Sequence, residues 1–129
     1  MERRQLGRGR PALRRGAREL SRALIAGGTG RVGAAVADRL RAEGYTVLAA
    51  GSADADLRGP AGAARLVERA LAELGGLDLV VHAAGDGFEP RPLADVTEAD
   101  WDRALDVTAK GTFFLAQAAA PALAASKGV

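Results

Sequence analysis

Residues 23–33 read Ala-Leu-Ile-Ala-Gly-Gly-Thr-Gly-Arg-Val-Gly, and this stretch decides the fold. A short apolar run, Ala23 to Ala26, ends abruptly in glycines, as a strand buried on both faces does where it leaves the sheet. After the glycines comes helical spacing, with Val32, Ala35, Val36 and Leu40 three and four apart and Gly44 in the position of a left-handed C-terminal cap. Working outward, Tyr45 to Ala50 is a second apolar strand, closed by Gly51-Ser52. Pro60 to Leu74 reads as a helix with proline in its first turn and Leu66, Ala70 and Leu74 on one stripe. Leu77 to Val81 is a further buried strand, running into His82-Ala83-Ala84-Gly85. Beyond a proline-containing loop, Thr97-Glu98-Ala99-Asp100 is a capping-type start, and helical sequence runs from there toward Ser126 with a break near Asp106.

Alternating strands and helices make an α/β chain with a parallel sheet and helices on both faces, a partial doubly wound sheet of Rossmann type. Its order is irregular at one point. Only about five residues separate Ala50 from Asp56, whereas a parallel crossover takes a dozen or more, so a third strand and its helix are expected to be missing.

The glycine-rich turn between the first strand and its helix has a physical use. Glycines let the backbone turn sharply and approach a pyrophosphate, and the free N–H groups and positive dipole of a helix N-terminus hold the anion. Gly27, Thr29, Gly30, Arg31, Val32 and Gly33 are therefore candidate residues for binding a dinucleotide, the other reading being a merely structural turn. No Gly-Lys-Ser/Thr follows, so the turn is not a P-loop. An acidic residue normally closes the second strand and binds the adenosine ribose of NAD, but Gly51-Ser52 stands there. With Arg31 as a cation and Ser52 as a hydroxyl for a 2′-phosphate, NADP is favoured over NAD. Arg31 also fits a solvated arginine of an arginine-biased composition, and Asp54 lies near enough to oppose the preference.

Composition bounds the rest. The 129 residues, 48% hydrophobic, suffice for one domain with a core, and no stretch approaches the ~20 apolar residues of a membrane span. The absence of Cys excludes disulfides, thiol catalysis and cysteine metal sites, and fits a reducing cytoplasm; one His leaves no His/Cys metal cluster. Residues 1–22 carry a charge of +6 and residues 23–129 carry −4, so the body is acidic and no specific nucleic-acid interface is expected of it. Residues 1–20 read as an Arg-rich, disordered extension, followed by an incomplete dinucleotide-binding domain over residues 21–129. A transit-like leader, a tether to RNA or anionic lipid and a misplaced start remain open for the extension.

These residues resemble the short-chain dehydrogenase/reductases. The turn is similar to that family's Thr-Gly-x-x-x-Gly-x-Gly, with Ala26 for Thr and Arg31 for the middle Gly; Asp56-Leu57 resembles the Asp-Val or Asp-Leu pair beside the adenine; His82-Ala83-Ala84-Gly85 looks like Asn-Asn-Ala-Gly; and Pro92 to Leu123 reads like the family's following helices. The resemblance covers about Ser21 to Val129. It implies that Asp56, Leu57, Ala83, Ala84 and Gly85 join the cofactor site, and that the reaction is hydride transfer between a nicotinamide and a carbonyl, imine or alcohol. It places Thr108 where the family has a proton-relay Asn, with a shorter side chain. The family's Ser, Tyr and Lys would lie beyond Val129, so the sheet is expected to be truncated after the helix that follows the fourth family strand, leaving a bare edge and a homo-oligomeric or aggregation-prone protein.

A narrower likeness is to pteridine-reductase-like members, through Arg31 and through Phe88-Glu89-Pro90-Arg91-Pro92-Leu93. It implies that Phe88 stacks on a flat heteroaromatic substrate; packing beneath its own loop is the other reading. Asp86 replaces a Ser usual in that branch. A non-catalytic nucleotide-binding or interaction module is the alternative to the oxidoreductase.

Overall fold

A computed structural model describes residues 21–85, 87 and 89–129. The extension expected over residues 1–20 and the stacking role of Phe88 lie outside the described residues. Three parallel strands, β1 (Arg22–Ala26), β2 (Thr46–Ala50) and β3 (Leu79–His82), form a sheet in the order β2-β1-β3. Helix α1 (Arg31–Ala42) follows β1 and α2 (Pro60–Leu74) follows β2. After β3 come a short 3-10 turn (Leu93–Asp95), α3 (Glu98–Leu105), a π-helical turn (Asp106–Lys110) and α4 (Gly111–Ser126). The expected gap is real: the chain runs from β2 through a short link directly into α2.

Beyond Arg22, only the central strand is fully buried: β2 is mixed, and β3 is partly buried along its whole length, short of the buried strand expected from Leu77 to Val81. Ala23, Leu24, Ile25 and Ala26 are all inaccessible to solvent. Period-two alternation splits them. Leu24 and Ala26 join Leu48 and Ala50 of β2, Ala63, Leu66, Val67 and Ala70 of α2, and Leu115 and Ala119 of α4 in one core. Ala23 and Ile25 are buried outside that cluster, and α1 packs against β1 and β2. The stripe read for α2 holds. That of α1 is rotated: Gly33 and Ala37 are buried, whereas Val32 is 69% exposed and Ala35 is exposed too. The cause is Gly33, whose lack of a side chain lets the helix rest its first turn on the Gly27 carbonyl.

Helix ends follow local chemistry. Gly44, at φ +87°, closes α1 with the paired bonds of a Schellman motif, Tyr45 N–H to Leu40 C=O and Gly44 N–H to Arg41 C=O, both 2.9 Å. Thr97 and Asp100 form a reciprocal capping box at α3, as their spacing predicts. β3 begins two residues later than its apolar run. Asp78 is held at its start by Arg22, whose Nε donates to Oδ2 at 2.9 Å and whose backbone N–H donates to the same oxygen at 3.0 Å.

The outer edge of β3 differs from the bare edge expected. Lys127 turns the chain in a left-handed conformation (φ 55°), and Val129 then pairs with β3, donating to Asp78 C=O at 2.9 Å and accepting from Val80 N–H at 2.8 Å. The first rungs of that edge are therefore satisfied.

Candidate functional site

In an open parallel sheet a crevice forms beyond the carboxyl ends of the strands, where the connections of neighbouring strands leave to opposite sides. Here β1 lies between β2 and β3, and a cleft of about 440 Å³ opens at that point. Its floor is Ala26, Gly27, Thr29 and Gly30. One wall is the segment from Ala50 through Arg58, lacking only Ala53 and Asp54, and another is Ala83 to Gly85.

Glycine is required in the floor. Gly27 sits at φ +82°, and a Cβ there would lie 2.5 Å from Ala83 C and 2.6 Å from its oxygen, so the turn is pressed against the end of β3. The Gly27 and Gly28 amides both donate to Ala50 C=O, at 2.8 and 2.9 Å, fastening the turn to the end of β2. Gly30 donates to Gly27 C=O at 3.1 Å and serves as an extended N-cap with no side chain to cap α1. The first-turn amides of α1 thus have no side-chain acceptor, and no acidic residue occupies that turn. An anion is the ligand that such an end favours.

The end of β2 explains itself. Thr29 leans over Gly51 so closely that any Cβ at Gly51 would overlap its hydroxyl oxygen and lie 3.1 Å from its Cγ2. A side chain at that position would require Thr29 to turn aside, and the nearest carboxylate beyond the strand end is Asp54. Its Oδ2 accepts the Gly51 N–H and its Oδ1 accepts from Arg69 of α2, both at 2.7 Å. The Gly51 amide and then the Arg69 guanidinium hold the Asp54 carboxyl below its usual range. Ser52 lines the cleft and is exposed.

Asp56 and Leu57 form the wall beside α2. Leu57 is buried, and Asp56 meets Arg58 in a fork, Nε to Oδ1 at 2.9 Å and Nη2 to Oδ2 at 2.8 Å. The Arg58 contacts bring the Asp56 carboxyl down to about 2.

Of the predicted residues, the structure gathers Gly27, Thr29, Gly30, Ser52, Asp56, Leu57, Ala83, Ala84 and Gly85 around one cleft. Arg31 is exposed at the first position of α1, and Val32 and Gly33 complete that turn behind the floor. Thr108 lies in the π-helical turn, exposed, with its hydroxyl donating to Ala104 C=O at 2.6 Å; its neighbour Val107 lines the cleft instead. His82 ends β3 with Nε2 buried and without a hydrogen-bond partner, and burial lowers its pKa while bonding to the Val107 backbone opposes this. The sequence reading missed Arg58, Leu66 and Arg103 as cleft residues. Arg58 was legible as the residue after Asp56-Leu57; Arg103 carried no signal, because its place depends on how α3 and the π-helical turn it packs on come to rest beside the cleft.

A family model described as enoyl-(acyl carrier protein) reductase matches residues 35–129. A curated relative, 4-formylbenzenesulfonate dehydrogenase of Comamonas testosteroni, is 33% identical over 126 residues, covering 77% of this chain and 48% of that protein. Among solved structures, NADH-dependent reductase A1-R' in complex with NAD aligns with a TM-score of 0.70 and 26% identity over 83% of this chain and 54% of that one. A 3-ketoacyl-(acyl-carrier-protein) reductase from Brucella melitensis complexed with NADH shares the fold, with a TM-score of 0.74 and 24% identity over 79% of this chain and 50% of that one. The chain spans about half the length of these proteins.

Proposed function

This chain belongs to the short-chain dehydrogenase/reductase superfamily, and from that premise we propose that its cleft binds NADP(H) as the cofactor site of an oxidoreductase acting on a small carbonyl or heteroaromatic substrate. The observation that carries the reading is the glycine turn: Gly27 is packed against Ala83, and the uncapped first turn of α1 adjoins a cleft at the carboxyl ends of three parallel strands. The fit to a dinucleotide is physical. Space around Gly85 is open within 4 Å of where a Cβ would stand, and the cleft volume lies within the range of small-ligand sites, about 300–1,000 Å³.

In this reading the first-turn amides of α1 hold the pyrophosphate, and Asp56 with Leu57 flanks the base. Ser52 and Arg31 meet the 2′-phosphate. Asp54 supports the phosphate preference, because its oxygens are engaged by Gly51 and Arg69 and it is absent from the cleft lining. The bound nicotinamide would supply or accept a hydride. The chain's one tyrosine, Tyr45, precedes β2 at the opposite end of the sheet from the cleft, so the described residues bring no phenol to a reacting oxygen.

A second reading, a nucleotide-binding module without chemistry, is favoured by Thr108, whose hydroxyl is turned back onto its own helix. Self-association belongs to both readings: Trp101 (63% exposed), Leu105 and Phe113 (62%) leave a run of large apolar side chains open along α3 and α4.

Titration of the chain with NADPH and NADH, followed by cofactor fluorescence, tests the proposal. Arg31→Ala is expected to weaken NADPH by roughly tenfold to a hundredfold and to leave NADH nearly unchanged, the loss of one charge-assisted contact. Equal losses for both cofactors would remove Arg31 from the phosphate site. NADPH oxidation with carbonyl substrates is expected to stay at the buffer rate, and sustained turnover would favour the catalytic reading over the binding module.

A further inference from the structure

His82 ends β3 level with Ala26 and directly precedes the cleft wall of Ala83 to Gly85, yet it does not line the cleft. Its Nε2 lies instead 3.4 Å from where a Cβ of Gly111 would stand, at the start of α4, and is buried without a hydrogen-bond partner. That same position at Gly111 is 2.9 Å from Leu57 O, so the start of α4 is wedged between the end of β3 and the wall beside α2. The ring also bonds the backbone of Val107, which lines the cleft. The helix is open there: the Gly111 N–H, which in an α-helix would reach Val107 C=O, donates to Asp106 C=O across the π-helical turn. One imidazole therefore adjoins both the turn and the glycine that set two cleft residues, Val107 and Leu57.

A neutral imidazole has one N–H and one bare nitrogen, and a bare Nε2 needs no acceptor. The imidazolium carries an N–H on both nitrogens, so a second proton puts a charged donor where the structure offers no acceptor. To reach water, the ring must part from Gly111 and from the Val107 backbone. Among the described residues, the charged groups on the elements around it are engaged elsewhere. α4 carries none from Gly111 to Ser126, and Lys127 stands past its far end, where Ser126 reaches Leu77 C=O. Asp106 and Lys110 of the π-helical turn pair with each other at 3.0 Å, Asp56 pairs with Arg58 at 2.8 Å, and Arg103 of α3 pairs with Asp100 at 2.6 Å. Arg22 of β1 is held by Asp78 at the opposite end of the sheet.

We infer that His82 is a positioning residue for the cleft: its neutral ring seats the π-helical turn and the start of α4 against β3 and so holds Val107 and Leu57 in the cleft wall, and a proton taken up at Nε2 unseats them and weakens dinucleotide binding. The inference rests on the dinucleotide reading above and adds to it a dependence on pH. His82 acts only through Val107 and Leu57.

The chain has one histidine, so proton NMR of the untagged full chain shows a single imidazole titration. It is followed in the free chain and in the chain saturated with whichever of NADP+ and NAD+ binds more tightly. A ligand that selects the neutral ring lowers the pH at which the ring titrates, by reciprocity of linkage. The bound chain is expected to titrate about one pH unit or more below the free chain, which corresponds to a loss of affinity of about tenfold or more on protonation. The same loss is expected in the ratio of parent to His82→Gln affinity, read calorimetrically from pH 7.5 to below the free chain's midpoint; in that ratio the titration of a 2′-phosphate near pH 6 cancels. His82→Asn, equally without a titrating proton, is expected to behave alike. A histidine that titrates at the same pH with and without ligand overturns the inference, and so does a parent-to-variant ratio that pH leaves unchanged; a ring that only packs gives both results. Failure of the unaltered chain to bind either dinucleotide overturns the cofactor reading and the inference with it, a result distinct from binding with an unmoved histidine.

Discussion

Replacing Gly33 by alanine tests the packing that builds the candidate cofactor site. The added Cβ would overlap the Gly27 carbonyl oxygen and lie 2.7 Å from Gly27 C and 2.8 Å from Gly28 Cα, all backbone atoms of the glycine turn. Carbon atoms rest at about 3.5–4.0 Å, so the turn and the first turn of α1 must separate by roughly 0.7 Å or more. No flexible side chain is available to yield. The turn is also fastened on its far side, through Gly27 and Gly28 to Ala50 C=O and by contact with Ala83. Overpacking of this kind costs about 1–3 kcal/mol. For a domain near 100 residues that corresponds to a fall of roughly 4 °C or more in Tm.

The displacement should cost more in binding than in stability, because the moved amides no longer converge on one anion. Thermal melting and dinucleotide titration of Gly33→Ala are best read beside Gly85→Ala. At Gly85 nothing lies within 4 Å of the added atom, so the fold is expected to be unaffected, while the new methyl intrudes on the cleft and weakens binding. Melting of Gly33→Ala within 1 °C or so of the parent, with dinucleotide affinity intact, would refute the claim that this contact sets the turn.

Acidity should act through His82 first. Its folded pKa lies below the ordinary 6.5, so the unfolded chain takes up the proton first, and stability present above pH 6.5 is lost as pH falls from there toward the folded value. His82→Asn should flatten a plot of Tm against pH between 7.5 and 5, and a parallel slope in both proteins would contradict the burial argument. Asp54, Asp56 and Asp100, all lowered from 3.8, act in a separate window: their contribution is complete above pH 3.8 and is lost as pH falls through their folded values. Thr97→Ala removes the capping box and should cost about 1 kcal/mol by chemical denaturation if α3 unfolds with the rest. A loss confined to local helicity would show that α3, whose residues other than Asp100 are exposed, melts independently.

Much of this protein was readable from neighbouring residues alone. The three strands, the Pro60–Leu74 helix, the Gly44 cap and the Thr97–Asp100 box are local devices: a few consecutive side chains set hydrophobic burial or satisfy the backbone at an element's end. The short link between Ala50 and Asp56 likewise predicted the missing strand, since chain length is a property of sequence. The glycine turn was legible for the same reason.

What the sequence alone did not decide depends on where separate elements come to rest. Which face of α1 is buried followed from the approach of Gly33 to Gly27. Thr29 comes to lie against Gly51, twenty-two positions later, only once the turn has packed on the end of β2. Arg69 reaches the end of β2 from α2, whose placement is set by the core, Arg103 reaches the cleft from α3, and Val129 satisfies the first rungs of an edge that local reading left open. Apolar spacing fixes which side of a helix faces inward only to within the width of its stripe. Long charged side chains and closest backbone approaches are decided by tenths of an ångström between elements far apart in the chain, so they are set only when the core has packed.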